Sequence, residues 1–139
     1  MPSFYFKNRR NLKLKSKDIA VRAAEIISSK KGENIKVLNI GPLSSVADYI
    51  VLASCTNERQ VGAIVKYVEE GLFEVGEKPI GVEGKSGSEV NWVLMDYGDV
   101  VVHVFHKEAR AFYDMDGLWA DAEEVELNLD EEAVEGAGA

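Results

Sequence analysis

A chain of 139 residues, 46% of them hydrophobic, is long enough for one domain with a real core and needs neither disulfides nor metals to hold it. The single cysteine, Cys55, excludes an internal disulfide and suits a reducing compartment, and no apolar run approaches the ~18 residues of a membrane span. The net charge of −8 is unevenly placed: residues 1–17 carry six bases and no acid, residues 120–139 carry eight acids and no base, and the body without that tail is neutral.

The basic start MPSFYFKNRRNLKLKSK lacks the apolar stretch that secretion uses, so a cytoplasmic location is expected. Residues 1–15 read as a basic arm, a solvated lead-in first and a weak contact to rRNA phosphates second. Ser16 is placed as the N-cap of a helix over 17–31, with Asp18 in its first turn. Ile19, Ala20, Ala23, Ile26 and Ile27 form its apolar stripe, and Gly32 ends it. Residues 35–40 read as a strand, broken by Gly41-Pro42. A second strand, apolar enough to be central, runs from 48 or 49 to 54. Thr56 or Asn57 caps a longer helix to about residue 75, with Val61, Ile64, Val65, Val68 and Leu72 on one stripe. Residues 79–83 form a short strand, and the polar loop GKSGSEVN leads into a hairpin. Residues 107–114 are a short helix, and Asp116 caps a final turn holding Leu118 and Trp119. The order αββαβββα predicts a single α/β domain over 16–120 with a mixed, roughly five-stranded sheet flanked by helices. Residues 121–139 read as an acidic, disordered, solubilising tail.

The hairpin carries the most information. A Gly98-Asp99 turn pairs Tyr97 with Val100, Met95 with Val102 and Val93 with Val104, an apolar face that belongs in a core. The other face pairs Asp96 with Val101, Leu94 with His103 and Trp92 with Phe105. Indole and phenyl beside imidazole and carboxylate form a mixed surface, better suited to meeting a partner than to sealing inside a domain.

Catalytic constellations stop short wherever the chain approaches one. Gly84-Lys85-Ser86 resembles the end of a phosphate loop, but Pro79 stands where the pattern needs glycine and no helix follows. His103 and His106 point to opposite faces of a strand and do not chelate together. Cys55 reads as a semi-buried thiol, and Asp114 and Asp116 as turn residues rather than a metal pair. In GPLSSVADYIV, Asp48 follows a Gly-Ser loop as in nucleotidyl transferases, yet Ile50 occupies the second acid's place. A binding module is expected, not an enzyme, with no cofactor and no metal.

The run SSVADYIVLASCTNERQVGAI, then GVEG, then WVLMDYGDVVVHVFHKEARAFYDMDGLW, closely resembles the ribosomal silencing factor family, also called the Iojap or RsfS family, over about residues 18–122. The DYGDVVVHVF core with R-x-FYD-x-x-x-LW is the specific part. The resemblance implies a nucleotidyltransferase-like α/β fold without the active site, and a homodimer. It further implies binding to the large ribosomal subunit through its L-fourteen-type protein, which blocks joining of the small subunit and represses translation under nutrient limitation. Alternatives are a large-subunit assembly factor using the same surface and a divergent nucleotidyl transferase. Partner contacts are placed at Trp92, Leu94, Asp96, His103, Phe105, Arg110, Tyr113 and Trp119. Phe112 and Leu118 look more like helix-to-sheet packing. Asp48, Arg59 and Gln60 match the family motif and read as structural first. The loop 84–91 is longer than typical and Asn91 is unusual, while the basic arm and the acidic tail lie outside the resemblance.

Overall fold

The computed structural model describes residues 14–84 and 91–129. The basic arm to residue 13, residues 85–90 of the polar loop and the tail from 130 lie outside the described residues, with the expectations attached to them.

The first apolar stripe forms α1 (Ser16–Ser29), burying Ile19, Ala20, Ala23, Ala24 and Ile27. Its N-cap position is Lys15 and no side chain caps it, so Ser16 lies inside the helix instead of ahead of it. The antiparallel pair β1 (Glu33–Asn39) and β2 (Tyr49–Cys55) follows. Next comes α2 (Glu58–Phe73), entered through a reciprocal cap: the Gln60 N–H donates to Asn57 Oδ1 at 2.8 Å and the Thr56 N–H donates to Gln60 Oε1 at 2.9 Å. It buries the expected stripe from Val61 to Leu72. Then come β3 (Gly81–Glu83), β4 (Trp92–Asp96) and β5 (Val100–His106), joined as antiparallel neighbours. Two short helices, α3 (Lys107–Tyr113) and α4 (Met115–Leu118), precede β6 (Glu123–Glu124).

The sheet is mixed, in the order β3-β4-β5-β2-β1-β6, with β2 and β5 parallel at its centre. It has six strands where five were expected. The extra one comes from the acidic segment assigned to the tail: Glu123 pairs with Asn39 and Glu124 with Leu38, and the Val125 N–H donates to the Val37 carbonyl at 2.7 Å. Backbone pairing to an open edge does not need apolar side chains at the paired positions, so charge alone misreads this strand. Its continuation is anchored by Val125 and Leu127, packed against the core. The folded domain therefore runs past residue 120.

Alternation divides the sheet into two layers. On one face α1 and α2 cover Val37, Val51, Ala53, Val93, Met95, Val100, Val102 and Val104, all essentially inaccessible. Each valine or methionine among them contributes about 1.5–3 kcal/mol relative to exposure. The other face carries a smaller cluster of Leu38, Ile40, Ala47, Ile50, Leu52, Phe105, Ala109 and Met115, over which the described residues place only the two short helices α3 and α4. Two short helices cannot roof six strands, and among the described residues part of this face stays open. Among the described residues no helix is long and apolar enough to cross a membrane.

Candidate partner-binding face

The hairpin adopts the register read from its turn: Trp92 opposite Phe105, Leu94 opposite His103, Asp96 opposite Val101. Gly98 supplies the positive φ (+91°) of the turn, closed by the Tyr97 N–H donating to the Val100 carbonyl at 2.8 Å. Asp96 Oδ1 accepts from the Gly98 N–H at 2.8 Å, so one carboxylate oxygen already braces the turn. Trp92, Leu94, Asp96 and Val101 are half-buried on the face that α3 and α4 leave partly uncovered.

An aromatic chain crosses this face from solvent to core. Phe112 meets Tyr113 edge-on at 5.0 Å, Tyr113 meets Trp92 at 4.9 Å, and Trp92 meets Phe105 at 5.2 Å. Its outer members are open: Phe112 is 80% exposed and Tyr113 53%, with Leu118 at 66% nearby in sequence on α4. This corrects the expectation that Phe112 and Leu118 pack as core. The inward positions of α3 are Ala109 and Arg110, and Asp114 in the left-handed region (φ 49°) ends the helix after seven residues. Met115 then takes the core seat.

Three expected contact residues lie underneath the face. Phe105 has no accessible surface, His103 is 6% exposed and Arg110 5%. Phe105 sits on the second cluster, and no partner touches it while this packing holds. The Arg110 guanidinium donates to Asp116 through Nε and Nη2 at 2.9 Å each, to the Asn34 carbonyl at 2.6 Å and to Ser54 Oγ at 2.9 Å. Those bonds bind α3 and α4 to the ends of β1 and β2, and they leave Arg110 a brace instead of a contact. Asp116, expected as a cap, is the other half of this brace. Hydrogen bonding from Arg110 first, opposed by burial and helped by Lys36 at 3.0 Å, holds its carboxyl down at about 2. Asp114 caps instead, accepting from the Gly117 N–H at 3.2 Å.

His103 accepts the Trp92 indole N–H on Nδ1 at 3.0 Å, and burial pushes its imidazole down to about 4. Trp119 is half-buried against the second cluster, with its Nε1 sealed and without a hydrogen-bond partner among the described residues. The loop whose Ile40 and Ala47 enter that cluster exposes Leu43 and Val46.

The chemistry-bearing residues elsewhere have structural surroundings. His106 Nδ1 accepts from the Glu108 N–H at 3.2 Å as the cap of α3. Cys55 is fully buried, and burial, aided by the Glu33 charge, pushes its thiol up to about 12. The Asp48 carbonyl accepts from the Ile40 and Gly41 N–H groups, and its own N–H donates to the Asp99 carbonyl at 2.8 Å. Ile50, where a transferase would carry its second acid, is core. A crevice of about 340 Å³ beside Arg110 is lined by Lys36, Lys107 and Asp116, whose charges already pair with one another in part. Among the described residues no group of three or more His, Cys, Asp or Glu is arranged to hold a metal ion.

Comparison with known proteins agrees with this architecture. The family described as "Ribosomal silencing factor during starvation" matches residues 13–138. The chain is 37% identical over 116 residues to the ribosomal silencing factor RsfS of Bacillus subtilis, covering 84% of this chain and 97% of the relative. It is likewise 37% identical over 114 residues to RsfS of Halalkalibacterium halodurans, covering 82% and 96%. A crystal structure of a Chromobacterium violaceum protein superposes with a TM-score of 0.73 at 32% identity, covering 84% of this chain and 94% of that one. With sequence match and fold in agreement over most of its length, the chain belongs to the ribosomal silencing factor family.

Proposed function

We propose that the open face docks this domain on the large ribosomal subunit, through its L-fourteen-type protein, and that the bound domain blocks the small subunit from joining. The observation that carries the reading is the run of Phe112, Tyr113 and Trp92 along a sheet face that the described helices cover only in part. Large apolar side chains contiguous on the surface of an otherwise close-packed domain mark a place of docking. Tyr and Trp are the side chains that most often anchor such contacts. Leu94 and Asp96 sit on the same face, one apolar and one charged. Trp119 lies at its α4 end as a half-buried support.

Occlusion needs no chemistry. The domain has only to occupy the site with enough affinity to compete, and a few anchors supply specificity. The activity belongs in the cytoplasm, where subunits join, and its consequence is repression of translation when nutrients are short. A homodimer of the free protein completes the reading, and sedimentation of the protein alone tests it.

The deciding experiment is sedimentation of purified protein with separated ribosomal subunits, followed by a subunit-joining assay. Co-sedimentation with the large subunit alone, fewer joined ribosomes, and loss of both effects in Trp92→Ala and Tyr113→Ala are expected. Binding to neither subunit refutes the proposal, and unchanged binding by both folded variants refutes the face.

A further inference from the structure

Trp92 is the central member of the aromatic chain, yet its ring contacts alone do not fix its orientation. Among the described residues β3 pairs with β4 at Leu94, Met95 and Asp96, and β5 pairs with Trp92 itself through Phe105. The indole meets His103, Phe105 and Tyr113 at interplanar angles of 39°, 36° and 45°, all tilted and none a parallel seat. Ring contacts of this kind tolerate rotation. A hydrogen bond does not, and the indole has one, from Nε1–H to His103 Nδ1 at 3.0 Å.

His103 is fitted to receive it. It stands diagonally across the hairpin from Trp92, within reach of a long side chain. Its own ring lies nearly parallel to Phe105, 7° between planes and 5.6 Å between centroids, over a side chain with no accessible surface. Packing on that side and burial limit the rotation of the imidazole. Accepting on Nδ1 requires the neutral ring with its proton on Nε2. Burial favours that neutral form at physiological pH.

We propose that His103 is a positioning residue: its Nε2-protonated tautomer holds the Trp92 indole in the orientation that the docking face presents. This rests on the reading of that face given above. It also reassigns His103 from contact to support.

The test separates the lock from the face. Asn at position 103 places an amide oxygen where Nδ1 stands, Gln places it one bond too far, and Leu offers no acceptor. In the free protein the indole N–H resonance of Trp92, assigned by its loss in Trp92→Phe, reports the bond directly. His103→Asn is expected to keep the shifted, slowly exchanging signal and near-normal binding to the large subunit. His103→Gln and His103→Leu are expected to lose the signal and to bind about five- to tenfold more weakly, the value of one net hydrogen bond. An unchanged Trp92 signal in folded His103→Leu overturns the lock, as does equal behaviour of the Asn and Gln variants, which would indicate packing alone. Should the His103→Leu substitution prevent folding, the Asn–Gln pair decides by itself. Unchanged binding by Trp92→Ala would refute the face, while the indole signal still decides the lock.

Discussion

Burying a histidine in neutral form makes the stability of this domain fall on mild acidification. An ordinary imidazole titrates near 6.5, and His103, pushed down by burial, titrates near 4. The unfolded chain therefore takes up a proton across this window before the folded chain does. Stability conferred by the neutral form is complete above about 6.5 and declines as the pH drops toward 4. At 1.36 kcal/mol per pH unit the full gap corresponds to about 3 kcal/mol, of which about 2 kcal/mol is lost by pH 5. That is a large share of the ~5–15 kcal/mol typical of a folded domain. Urea unfolding of wild type and His103→Asn at pH 7, 6 and 5 isolates the contribution, because His106 and every carboxylate are common to both proteins. Wild type is expected to lose about 2 kcal/mol more than the variant between pH 7 and pH 5. Parallel losses would show that His103 titrates normally and that its burial is not what the structure describes.

Other consequences follow from the brace, the thiol and the open face. Arg110→Ala leaves Ser54 and the Asn34 carbonyl without this donor and leaves Asp116 with Lys36, and should cost about 1–3 kcal/mol in chemical denaturation; Arg110→Lys, a point charge without the fork, should recover only part. Asp116 has its carboxyl held down at about 2 against an ordinary 3.8, so its contribution is present above about pH 4 and is lost as the pH falls toward 2; Asp116→Asn should flatten that acid limb of the unfolding profile. Cys55 should react with a thiol reagent only at the rate of unfolding, and fast labelling of the native protein would contradict its burial. Phe112→Ser and Leu118→Ser should change stability by no more than about 0.5 kcal/mol yet weaken binding to the large subunit, whereas a large stability loss would restore their assignment to the core.

The fold was legible where periodicity and turn chemistry agree. The stripe of α2 reproduces the observed burial, and the alternation on either side of Gly98 the observed register, position by position, because each is decided by residues adjacent in sequence. The sixth strand was not legible, since Glu123 and Glu124 pair through backbone alone and their anchors, Val125 and Leu127, take hold only once β1 offers an edge.

The candidate site was half legible for a related reason. Alternation says which side chains share a face, and it correctly grouped Trp92, Leu94, Asp96, His103 and Phe105. It says nothing about what lies above that face, and depth is set there. Phe105 and Phe112 are the same residue type seven positions apart, one sealed and one open. The difference comes from the elements they stand on: Phe105 enters the second cluster from β5, whereas Ala109 and Arg110 hold the inward positions of α3 and leave Phe112 in water, before the left-handed turn at Asp114 lets Met115 enter the core. Arg110 then reaches under the helix it stands on and fixes that turn to β1 and β2 through Asn34 and Ser54. Arg110, read in sequence as a contact, and Asp116, read as a cap, thus hold the turn beside which the open aromatics stand. The physical unit of the site is therefore the exposed aromatic row together with the buried Arg110–Asp116 brace. Mutating the brace should alter docking without removing any docking side chain.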